Sequence, residues 1–88
     1  MARFEMLDAS FGDMGATAQA DILLELGMMN AAGRDCATDV VAAHKWFNIA
    51  AIKGSARAAE LRSELSVSMS KPELAKALRE AREWMITH

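Results

Sequence analysis

The chain has 88 residues and a mass of 9.6 kDa, near the lower size at which one hydrophobic core holds a chain folded without staples, so a two-domain enzyme is excluded. Hydrophobic residues make up 52% and charged residues 25%, with eighteen alanines, no tyrosine and a single proline, a mixture too apolar for intrinsic disorder and one that favours close-packed helices over a sheet. A net charge of -2 offers no global attraction to nucleic acid or to an anionic membrane.

Residues 1–16 read as a partly irregular N-terminal segment: Phe4, Leu7 and Phe11 share one face of a short helix, but Gly12 and Gly15 break it. Glu5 and Asp8 stand where a secretory signal needs an uninterrupted apolar core, and runs such as Ile22-Leu23-Leu24 are far too short to span a bilayer. A lone cysteine, Cys36, makes no internal disulfide. These features point to a cytoplasmic protein with no membrane partner.

Residues 17–88 read as a single helical domain. The first helix runs from Thr17 to Ala32, with Ile22, Leu23, Leu26 and Met29 on one side and Gly33 as its C-terminal cap. After a short connection, Thr38 or Asp39 caps a second helix from Val40 to about Lys53, whose Val40, Ala43, Phe47, Ala50 and Ala51 face inward and which Gly54 ends. Ser55 caps a third helix carrying Ala58, Leu61, Leu65 and Met69 at three- and four-residue steps. The sharpest boundary is Ser70-Lys71-Pro72-Glu73: a capping serine, a proline in the first turn, and a glutamate three residues on that reaches back. The fourth helix turns Leu74, Ala77, Leu78, Ala81 and Met85 inward with Trp84 alongside, and Lys76 with Glu80 and Arg79 with Glu83 are spaced as solvent-side ion pairs.

The sequence echoes itself. Gly15, Ala20, Asp21, Ile22, Glu25 and Leu26 reappear 39 residues later as Gly54, Ala59, Glu60, Leu61, Glu64 and Leu65, a period typical of stacked helical hairpins. Within it, Leu26-Gly27, Gly33, Asp39, Ala43, Trp46-Phe47, Ala50-Ala51, Gly54 and Ala58 resemble the Sel-one-like repeat, a subclass of the tetratricopeptide-type repeats. The tyrosine usual in the first helix of that family is Asn30 here, and the usual loop glycine and valine are Asp35 and Cys36. Leu61 to Trp84 is similar to the tail that follows such repeats in small bacterial proteins. The resemblance implies an all-α fold of antiparallel hairpins, about four main helices in all, with a Sel-one-like hairpin over 17–54 and a second, capping hairpin over 55–88. It implies a non-catalytic adaptor or scaffold that binds a protein or peptide or associates with its own copies.

Chemistry-bearing residues are few. His44 reads as a partly exposed helix residue and Cys36 as a packed loop hydrophobe, and no histidine pair, phosphate loop or calcium loop is spelled out. Asp21 with Glu25, and Glu60 with Glu64, lie one turn apart but lack the Glu-x-x-His element of a bundle metal site, and read as solvated faces. No catalytic, cofactor or metal residue is expected. The first helix, however, is apolar on two sides: Leu24, Met28 and Ala31 lie nearly opposite its core stripe. Either it is sandwiched between neighbouring elements, or Asp21, Leu24 and Met28 stand where tetratricopeptide-type repeats line the concave surface that holds a peptide. Charge is also uneven: residues 1–39 carry seven acids against two bases and residues 40–88 eight bases against five acids, which suits either two solvated faces or head-to-tail attraction between copies. A small nucleic-acid-binding regulator is the alternative reading, although acids interleave with the bases after residue 40 and leave no clean basic stripe.

Overall fold

The computed structural model describes residues 18–34 and 36–88. The expected N-terminal segment of residues 1–16, with Phe4, Leu7 and Phe11, lies outside them, as do Thr17 and Asp35. The described residues form four helices and no strand: α1 over residues 18–32, α2 Val40–Ile52, α3 Ala56–Val67 and α4 Lys71–Thr87.

Each connection is closed by the chemistry of its own residues. Gly33 adopts a φ of 72°, and the Arg34 amide then donates to the Met29 carbonyl at 3.0 Å, which satisfies an end carbonyl of α1. Of the two candidate caps for α2, Asp39 is the one used, its carboxylate accepting from the Ala42 amide at 3.0 Å. The same device ends α2: Gly54 has a φ of 116°, the Gly54 amide donates to the Ala51 carbonyl and the Ser55 amide to the Ala50 carbonyl. Ser55 then caps α3 through the Ala58 amide. Before α4 the Ser70 hydroxyl accepts from the Glu73 amide and the Glu73 carboxylate accepts from the Ser70 amide, a reciprocal capping box with Pro72 in the first turn. α3 ends at Val67, so Met69, expected on that helix, sits buried in the α3–α4 connection.

α2 is the central element. It packs against both α3 and α4, and α1 meets it where Gly27 faces Phe47. A Cβ at Gly27 would lie 2.5 Å from the Phe47 ring, so only glycine lets the two helices close to this distance. The core around α2 is built largely from alanine: Ala20, Ala43, Ala50, Ala58, Ala77 and Ala81 are all essentially inaccessible. Leu23 and Ile49 join Ala50, Ala58 and Ala81 at its centre, with Leu24, Leu26, Trp46, Trp84 and Met85 packed around them. Trp46 and Trp84 tie α2 to α4 edge to face, their ring centroids 5.7 Å apart at 84°.

Several expected faces are rotated. Ile22, expected in the core, is 65% exposed, and Leu78 is exposed as well. Leu23 takes the inward position on α1, and Ile49, absent from the expected stripe of α2, is fully buried. The ion pairs among the described residues are Arg34 with Glu25 and Arg57 with Glu60, not the two expected on α4.

Gly27→Ala is expected to lose about 1–3 kcal/mol from overpacking against Phe47, more than the gain in helix propensity returns. Ser70→Ala is expected to lose about 1 kcal/mol from the cap of α4. Urea unfolding followed by circular dichroism checks both, and a Gly27→Ala protein as stable as the wild type would contradict the close α1–α2 approach.

Candidate functional site

The packing of α1 and α3 on the same side of α2 leaves a groove of about 440 Å³ between them. Its floor is Phe47, held by Gly27 from below. Met28 and Ala31 of α1 form one wall, and Leu61 and Leu65 of α3 form the other, with Arg57 and Glu64 at the rim. Arg57 is steered along its own helix by Glu60, 3.6 Å away. The result is an apolar trough with a charged margin, suited to take an apolar side chain while polar contacts at the edge set its direction.

The three residues singled out on α1 separate here. Met28 is 38% exposed and lines the groove. Asp21 is exposed two turns earlier on the same helix, and Leu24, between them, is half-buried and packed on the core. Neither Leu24 nor Asp21 lines the groove; Leu24, one turn before Met28, contributes to the packing of α1. The α3 wall was not singled out in the sequence, although Leu61 and Leu65 are the register partners of Ile22 and Leu26 in the 39-residue echo.

A second feature lies at the junction of α2, α3 and α4. His44, expected to be partly exposed, is only 3% exposed. Its Nε2 lies 3.0 Å from the Ser66 hydroxyl, and that hydroxyl donates to the Arg62 carbonyl at 2.8 Å. Since the serine proton is committed to a carbonyl, Nε2 must carry its own proton and donate to the serine oxygen. Nδ1 is then a buried acceptor with no partner among the described residues. Arg62 donates to the Asn48 side-chain oxygen at 2.6 Å, completing a polar row across α2 and α3. A catalytic serine needs histidine to accept its proton and a third group to orient the ring; here the serine proton points to a backbone carbonyl, and none of the described residues partners the far nitrogen. The pair works as a tie between α2 and α3. The internal echo held a signal for it: Arg62 and Ser66 stand in register with Leu23 and Gly27, a charge and a hydroxyl where the first helix has a core leucine and a contact glycine.

Cys36, expected to be packed in the loop, is exposed, and its thiol reaches the Met29 carbonyl at 3.7 Å. Among the described residues no group of three or more His, Cys, Asp or Glu side chains is placed to hold a metal ion, and no helix is long and apolar enough to cross a membrane. Compared with known proteins, the chain is matched by no family model, no curated protein and no solved structure.

Burial, and next the Arg62 guanidinium, hold the His44 pKa below the usual histidine value. The unfolded chain thus binds this proton more readily than the folded one, and stability present above the ordinary histidine pKa is lost as pH falls toward the lowered one. Melting curves between about pH 7.5 and 5 should show stability falling with pH in the wild type and a shallower fall in His44→Gln, whose amide still donates to Ser66. Equal slopes would show that His44 is not the group responsible.

Proposed function

We propose that this chain is a non-catalytic protein interaction module of tetratricopeptide-like build, related to the Sel-one-like repeats, whose α1/α3 groove receives a peptide or protein segment. The observation that carries this reading is the groove itself. The first helices of the two hairpins inferred from the sequence flank one apolar trough, floored by Phe47 and edged by Arg57 and Glu64. The Sel-one-like spacing supports the same picture, since its glycine and alanine positions include Gly27, which meets Phe47, and Ala43, Ala50 and Ala58, which are buried at helix contacts. Asp21 and Met28 then present one polar and one adaptable apolar contact along α1, and methionine's flexible thioether suits a surface that accommodates varied side chains. A cytoplasmic setting fits the lone, exposed Cys36.

The test is selection of ligands from a displayed peptide library, followed by calorimetric titration of the best binder. Met28→Glu is expected to weaken binding by about tenfold or more, the equivalent of losing roughly 1.4 kcal/mol or more of apolar contact, while the melting temperature stays close to that of the wild type. Leu24→Asp is expected to lower stability as well as binding, because Leu24 packs on the core. Undiminished binding by Met28→Glu would remove the groove from the reading.

A further inference from the structure

Between α2 and α4 lies a second groove of about 420 Å³, lined by the aliphatic Ile52, Leu78, Ala81, Met85 and Ile86 together with Asn48 and Arg82. Ile52 is 57% exposed and Ile86 78% exposed, so two branched aliphatic side chains of this groove are open to solvent. On α1, Ile22 is likewise 65% exposed and does not line the groove of its own chain. Ile22 adjoins the acid Asp21 on α1, and Glu25, one turn on, is paired with Arg34. The groove wall holds the base Arg82; Lys53, Arg79, Glu80 and Glu83 are near it in the chain but do not line the groove. The whole chain has the same polarity, acidic through residue 39 and basic after it.

We propose that the occupant of this groove is a second copy of the chain, with the Ile22 face of α1 in one copy seated in the α2/α4 groove of the next. The contact is head-to-tail: each molecule offers a knob on α1 and a different surface, the α2/α4 groove, as socket, so association continues past the dimer unless a ring closes. Apolar burial between Ile22 and the aliphatic wall holds the contact, and Asp21 facing Arg82 fixes its polarity. Apart from Asp21, which adjoins both faces of α1, the residues of this contact are distinct from those that line the α1/α3 groove.

Sedimentation velocity of the full chain across a concentration series tests the proposal. Wild type is expected to associate reversibly, more weakly at high salt, where exposed charge pairs are screened. Ile22→Glu and Ile86→Glu, both at exposed positions, should each keep wild-type helicity and weaken association by about tenfold or more. Mixed in equal amounts, they should form a heterodimer that grows no further, because one supplies the intact knob and the other the intact socket. Met28→Glu should associate as the wild type does. A strictly monomeric wild type, association that survives Ile22→Glu, or a mixture that stays monomeric would each overturn the proposal. So would an Ile22→Glu protein that loses stability without any change in association, since Ile22 would then be covered within its own chain.

Discussion

The close approach of neighbouring helices to α2 is the constraint on which the rest of the structure depends. Glycine at position 27 removes the one Cβ that would strike the Phe47 ring, and alanines at 43, 50, 58, 77 and 81 keep the other contacts short. With side chains this small, a short chain surrounds one helix with three others and still excludes water from their contacts. Leu23 and Ile49 share the centre with these alanines, while Trp46 and Trp84 clamp α2 to α4 and Phe47 becomes the floor of a groove. The grooves lie at the seams of this arrangement, one between α1 and α3 over Phe47 and one between α2 and α4.

How far the sequence disclosed this arrangement depended on whether the signal was local. The caps at Gly33, Asp39, Gly54, Ser55 and Ser70 were readable because each is set by hydrogen bonds within a few residues of itself. The rotation of α1 was not. Ile22 and Leu23 are adjacent, both aliphatic, and both compatible with an inward stripe; the choice of Leu23 is made by Ile49, Ala50, Ala58 and Ala81, contributed by three other helices. Likewise nothing near His44 in the chain announces that Ser66, 22 residues later, will meet it. The groove was half legible: Met28 stood out as apolar on the unexpected side of α1, while its opposing wall on α3 looked like an ordinary core stripe.

The His44, Ser66, Arg62 and Asn48 row adds a polar specification to a core otherwise held by non-directional contacts. Its bonds fix how α3 lies against α2, and so set the width of the trough between α3 and α1. Its cost is the desolvation of Nδ1, a buried acceptor that none of the described residues pairs. A sequence seeking stability alone would place an aliphatic residue at position 44. The polar tie gives orientation instead, fixing α3 against α2 through directional bonds.

Isotope-filtered NMR of the protein bound to a library-selected peptide tests most directly whether the α1/α3 trough is the working surface. The account predicts intermolecular NOEs from a peptide side chain to the Met28 methyl group and to the methyl groups of Leu61 and Leu65, with the Phe47 ring protons beneath them. NOEs confined to Ile52 and Ile86 in the α2/α4 groove, with none to Met28 or Leu61, would contradict it.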